Sequence, residues 1–242
     1  PPPTTPPPPP PTTTPPPTPP TPPPTTPPVA ISEPCVIPTP GFVGTYRSSA
    51  QPDMNIRIVT TGTSLAPEEI TTLTGPYGIT TESTTRLKVT LSASGGRRLT
   101  WSDYQTKITA PGMYSLQSYS VVRELTLPVL PGDSQTTGGA ISGTHQLQVG
   151  PESCSGSVSG SQVVTYTYAG IDPVTVPAGT FAACRFSVTR ASDITSTCDN
   201  GAGSGQGSGK ATDTTALWVL NGHIIKSVGA DGSSLELMSY TQ

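Results

Sequence analysis

The chain has 242 residues, 31 of them Pro and 25 Gly, and 11% charged side chains, against about 25% in ordinary globular proteins. A net charge of −3, with 12 Lys and Arg in no basic block, excludes binding nucleic acid through its phosphates. No apolar run approaches the ~18 residues a membrane-spanning helix needs.

Residues 1–28 contain 19 Pro and 9 Thr and nothing else. Each Pro fixes φ and removes an N–H, so this stretch can form neither helix nor ladder. A polyproline II arm is expected, roughly 85 Å long at ~3.1 Å per residue. Thr among Pro is the composition of O-glycosylated stalks, which makes Thr4, Thr5, Thr12, Thr13, Thr14, Thr18, Thr21, Thr25 and Thr26 the candidate acceptors. A spacer is the plain reading, and an arm held by a neighbouring copy is the sharper one. A start at Pro1 without Met points to a processed chain. The expected organisation is an arm at 1–28, a connector at 29–39 and one β-rich domain at 40–242.

From residue 40 onward the pattern has period two. In Thr84–Ala93 the side chains of Leu87, Val89, Leu91 and Ala93 share one face, and Arg86, Lys88, Thr90 and Ser92 share the other. Ser94-Gly95-Gly96 then turns the chain toward Leu99 and Trp101, which predicts a hairpin. Further strands are expected at Asn55–Thr60, Tyr114–Val122, Glu124–Val129, Thr144–Val149, Val163–Tyr168 and Phe181–Thr189. Thr215–Leu220 and His223–Val228 flank Asn221-Gly222, a strong hairpin signal because both turn residues tolerate φ > 0. Asp231-Gly232 repeats the device before Leu235–Tyr240, giving a meander. The fold class is therefore all-β, a mainly antiparallel curled sheet of half-barrel or sandwich-like form. One short helix is expected at Ser64–Ile70, where Pro67, Glu68 and Glu69 suit a first turn. The Gly/Ser-rich stretch Asp199–Lys210 reads as a flexible loop.

Four Cys, at 35, 154, 184 and 198, suit a secreted disulfide framework. Three pairings are open; Cys184–Cys198 with Cys35–Cys154 is favoured, and free buried thiols are the alternative. No Cys/His cluster suggests zinc. Of the two His, His223 reads as a solvated turn residue and His145 as an exposed strand residue. No G-x-S-x-G elbow occurs; Gly156–Gly160 reads G-S-V-S-G. Glu82, Asp103, Glu124 and Glu236 stand singly, so no carboxylate pair is evident. Asp199, Asn200 and Asp213 are faint calcium candidates without the loop spacing. A non-enzyme without cofactor is the expectation. Tyr166 and Tyr168 share a face with Val164 and, with Trp218, are the candidate ligand-facing aromatics; a buried sheet face is the plainer reading.

Val174–Cys184, V-T-V-P-A-G-T-F-A-A-C, is followed by Trp218–Ser227, W-V-L-N-G-H-I-I-K-S. This resembles a V-x-V-P-A-G-x-F stretch and a Trp-strand, Gly-turn segment of a poorly characterised bacterial family of secreted or periplasmic envelope proteins. That family is similar to lipoprotein-carrier half-barrels. The resemblance covers about residues 163–240 and implies an antiparallel sheet curled around a helix or an apolar cavity. Together these readings predict a non-catalytic module exported to the periplasm, cell surface or exterior. It is expected to bind or build structure without a catalytic centre, and to assemble with copies of itself into a filament through sheet edges or the arm. The alternatives are a carrier or sensor of an apolar, lipid-like ligand, and a carbohydrate-binding module.

Overall fold

A computed structural model describes residues 35–91, 96–127, 129–201 and 203–242. The Pro/Thr arm, its candidate glycosylation sites and the Ser94-Gly95 turn lie outside the described residues. The first strands are β1 (Val43–Ser48), β2 (Asn55–Thr63), β3 (Ala66–Thr74), β4 (Thr80–Leu91), β5 (Arg97–Ala110), β6 (Met113–Ser120) and β7 (Arg123–Leu127). They are followed by β8 (Ser134–Val149), β9 (Glu152–Val176), β10 (Gly179–Asp199), β11 (Ser204–Leu220), β12 (His223–Gly229) and β13 (Ser234–Thr241). A 3-10 turn covers Pro76–Gly78.

Every ladder is antiparallel, and the sheet runs from β4 through β1 and β13 to β6 and β5. Pairing of β4 with β5, from Thr80↔Thr109 to Leu91↔Arg97, closes a twelve-stranded barrel. The all-β antiparallel expectation holds, with closure completing the curl. β7 pairs with β5 beyond the end of β6. It faces β8 through side chains: the Glu124 N–H donates to Thr137 Oγ1 at 2.8 Å and the Thr126 N–H to Gln135 Oε1 at 2.9 Å.

The outer face carries Ser/Thr rows such as Thr136–Thr165 and Thr189–Thr214. It also carries ion pairs such as Arg86–Glu68 at 3.0 Å and Lys226–Glu236 at 2.8 Å. The buried apolar side chains form two main clusters. One gathers Leu87, Leu99, Leu125, Tyr168, Phe186 and Val188; the other gathers Phe42, Tyr46, Ile56, Ile58, Val174 and Leu237. Ala183 and Cys184 are successive strand residues, both with no exposed surface, and they belong to different clusters. Successive side chains on a strand point to opposite faces, so β10 is covered on both sides at this point.

Several expected turns are present. Val176 pairs with Gly179 across Pro177-Ala178, and Leu220 pairs with His223 across Asn221-Gly222. Asn221 at φ 51 and Gly222 at φ 73 supply the positive φ values that the tight hairpin requires. Two local expectations are corrected. Ser64–Ile70 is not helical: Thr63 pairs with Ala66 in a hairpin, and residues 66–74 form β3. Strand geometry suits it because Ile70 and Leu73 are flanked by Thr, which packs well on a pleated surface. Asp199–Lys210 is not a loop. The chain reverses within residues 200–203, and β11 continues the β10 ladder from Asp199↔Ser204.

The disulfides are Cys35–Cys184 and Cys154–Cys198, with Cα separations of 5.9 and 5.4 Å. All four Cys are bonded as expected, but the favoured pairing is corrected. Cys184 and Cys198 lie on one continuous strand, where 14 residues at ~3.3 Å each span about 46 Å. A disulfide needs its Cα atoms within about 7 Å. Cys35 instead enters the core beside Cys184.

The segment from Cys35 to Phe42 lies over the β11–β12 turn. The Gly222 N–H donates to the Cys35 carbonyl at 3.2 Å. Thr39 N–H is shared between the Asn221 carbonyl and His223 Nε2, each at 3.2 Å. His223 is therefore 3% exposed rather than solvated, and it stacks on Phe42 with ring centroids 3.7 Å apart. His145 is also more enclosed than expected, because it lies in the row of Gln117 and Gly156 that faces the barrel interior.

A Cβ on Gly222 would meet Pro38 N at 2.1 Å and the Ile37 carbonyl carbon at 2.4 Å, both backbone atoms. Gly222→Ala should therefore cost about 2–4 kcal/mol from backbone strain plus displacement of the segment. Gly112→Ala, at φ 72 with nothing within 4 Å, should cost about 1 kcal/mol. Urea denaturation of the two variants checks the difference.

Candidate functional site

Successive residues of β3 separate the two acids that the sequence places together. Glu68 faces outward to Arg86, while Glu69 faces inward and lines a cavity of about 280 Å³. The wall is completed by Thr85 of β4, Trp101 of β5, Arg123 and Leu125 of β7, and Tyr166 of β9. Phe186, Val188 and Arg190 of β10, Leu217 and Val219 of β11, and Ile224 of β12 line it as well. Val36, held by the neighbouring Cys35–Cys184 bond, and Gly222 border it at the end crossed by the N-terminal segment.

Register explains how these side chains converge. Trp101 pairs with Arg123, Tyr166 with Val188, and Val164 with Arg190. Asp103, at φ 56, lies at the β4–β5 register shift, where Thr85↔Tyr104 is followed by Arg86↔Ser102. This shift keeps Tyr104 and Trp101 on the same inner face.

Arg123 lies over the Tyr104 ring at 4.7 Å, and its Nε donates to the Tyr104 hydroxyl at 2.6 Å; Nη2 reaches the same oxygen. Trp101 and Tyr166 are stacked with centroids 6.1 Å apart, as are Tyr104 and Tyr119 at 5.4 Å. None of the ion pairs among the described residues includes Arg123 or Arg190. Arg190 Nε is buried and has no hydrogen-bond partner among the described residues.

Burial pushes the Tyr104 hydroxyl up to about 12, against the lowering effect of Arg123, and raises Tyr166 in the same direction. Both phenols are therefore neutral near pH 7. The Glu69 carboxyl is raised to about 7 by burial. Water-sized space reaches it from the cavity, although protein surrounds it. The buried Tyr46 hydroxyl is raised by its own burial and then by the charge of Glu69.

Of the aromatics singled out in the sequence, Tyr166 lines the cavity. Tyr168 is 1% exposed and packs beside Phe186. Trp218 belongs to the opposite face of β11 from Leu217 and Val219, with Arg185 over its ring at 5.4 Å. Sequence reasoning missed Glu69, Arg123, Arg190 and Trp101 as one group; only closure brings β3, β5, β7 and β10 together. Asp199 and Asn200 accept the Gly201 and Gly203 N–H groups at 2.8 and 3.0 Å, which makes them turn residues. Asp213 lies further along β11. No group of three or more His, Cys, Asp or Glu able to hold a metal occurs among the described residues.

No protein-family model and no curated protein matches the chain. Two solved structures are similar in outline. One is a presumed lipoprotein from Parabacteroides distasonis, at 9% identity and a TM-score of 0.38, covering 85% of this chain and 97% of that one. The other is a presumed exported protein with a YmcC-like fold from Bacteroides fragilis, at 12% identity and a TM-score of 0.36, covering 86% and 99%. Scores below 0.5 carry no argument about role.

Glu69 and His223 give opposite pH dependences. A carboxyl raised from 4.5 to about 7 makes folding less favourable as pH rises through that window. A His lowered from 6.5 to about 4 by burial makes folding less favourable as pH falls through its own window. The two slopes oppose between pH 4.5 and 6.5, so wild-type stability should be nearly flat there. Glu69→Gln should match wild type at pH 4 and exceed it at pH 8 by at most about 3 kcal/mol. Denaturant titrations at stepped pH check this, and a Glu69→Gln profile parallel to wild type would refute it.

Proposed function

We propose that the chain is an exported, non-catalytic binding module whose barrel holds a small, largely apolar ligand. The observation that carries this reading is the cavity itself: about 280 Å³, inside a closed barrel, with aromatic and aliphatic walls and a few convergent polar groups. Two disulfides favour an oxidising compartment outside the cytosol. The Pro/Thr arm fits a spacer or stalk that would hold the barrel away from a surface.

N-phenyl-1-naphthylamine, an uncharged dye that brightens in apolar surroundings, tests the cavity. It should brighten saturably at one site per chain. Leu217→Trp, which fills the cavity, should abolish the signal while the fold is retained by circular dichroism. Absence of brightening with the wild-type chain ends this reading.

A second reading, self-association through a sheet edge, is favoured by β11. Residues 204–214 pair with β10, whereas the β12 ladder begins only at Thr215. An unpaired edge of this length is a template for strand pairing. Sedimentation velocity should then show concentration-dependent association; a single monomer boundary up to the solubility limit counts against it.

A further inference from the structure

We infer that the ligand is an anionic amphiphile: a carboxylate or phosphate monoester head held by Arg123 and Arg190, with an apolar chain along Leu125, Phe186 and Leu217. This deepens the cavity-binding reading and rests on it.

The two guanidinium groups line one cavity and take part in none of the ion pairs among the described residues. Arg123 is held by Tyr104, a neutral partner that fixes its direction without balancing its charge. Arg190 keeps a buried Nε–H without a hydrogen-bond partner among the described residues. Asp213 stands opposite Arg190 in the β10–β11 register, but it is exposed and is in none of the ion pairs among the described residues. Glu69 is the one carboxylate in the wall among the described residues, and neither Arg is among the causes of its shift. An arginine carboxylate pair would lower that acid, whereas burial has raised it. The wall is therefore net positive near neutral pH.

Cationic donors in a low-dielectric cavity lose water without regaining an anion, and an anionic head restores that loss. Arginine suits it because its planar donors match carboxylate and phosphate oxygens two at a time. The remaining wall is aliphatic or aromatic, which a small inorganic anion would leave uncovered. At ~30 Å³ for each water- or methylene-sized group, the cavity has room for roughly nine or ten of them. A ten-carbon acid, nine carbons behind one carboxylate head, is about that size.

The test is calorimetric titration of the full chain with decanoate, decyl phosphate, decanol and inorganic phosphate. Decanoate or decyl phosphate should bind at least tenfold more tightly than decanol, and inorganic phosphate should bind far more weakly than either. Arg190→Met, which keeps the side-chain volume, should bring the anionic ligands down to the decanol level while leaving decanol unchanged. Equal binding of decanol and decanoate overturns the anionic head but leaves the cavity reading standing. Inorganic phosphate binding as tightly as decyl phosphate overturns the amphiphile in favour of a free anion. Failure of all four, decanol included, removes the cavity reading as well. If Arg190→Met does not fold, the wild-type comparison of decanoate with decanol decides the matter.

Discussion

Closure of the sheet rests on the β4–β5 ladder, and everything inside the molecule depends on it. Without that ladder β4 and β5 would each present an open edge, and β3 would have no partner wall across the interior. With it, backbone donors and acceptors along both strands are paired and the inward rows face one another. The ladder is long, from Thr80↔Thr109 to Leu91↔Arg97, and its one register shift coincides with the positive φ of Asp103. Barrels escape the edge problem by this route.

The interior that results is uneven. The buried apolar side chains divide into two clusters, and the β10 segment at Ala183-Cys184 is covered by one cluster on each face. The packing leaves a cavity with a largely aromatic and aliphatic wall, and Glu69, Arg123 and Arg190 stand in that wall. Glu69, Arg123 and Arg190 are costly groups to enclose, and none of them pairs with another. Enclosed charge without a partner works against stability.

Much of the fold was legible because half-buried strands write their alternation into the sequence. Leu87 and Val89, or Phe186 and Val188, announce both a strand and its inner face, and Asn221-Gly222 announces the turn that follows. The unreadable parts are the long polar stretches of β8, β9 and β11. Ser204–Thr214 is exposed and carries no apolar row, so period two has nothing to mark. Its strand is held by ladder hydrogen bonds to β10, a partner the local sequence does not name. β3 was misread for a related reason: Pro67-Glu68-Glu69 satisfies a helix start locally, and the β2 and β4 ladders on either side override it. The candidate site was legible only in Tyr166. Its other polar members are single residues on separate strands, and no spacing rule joins them before the barrel closes.

The bonded Cys pairs interleave along the chain: the first Cys joins the third, and the second joins the fourth. A polypeptide delivered from its N-terminus into an oxidising space presents Cys35 and Cys154 before Cys184 arrives. Oxidation in order of arrival would therefore trap the wrong couple. Under that order of oxidation, the native pairs would be reached by thiol exchange that undoes the early bond.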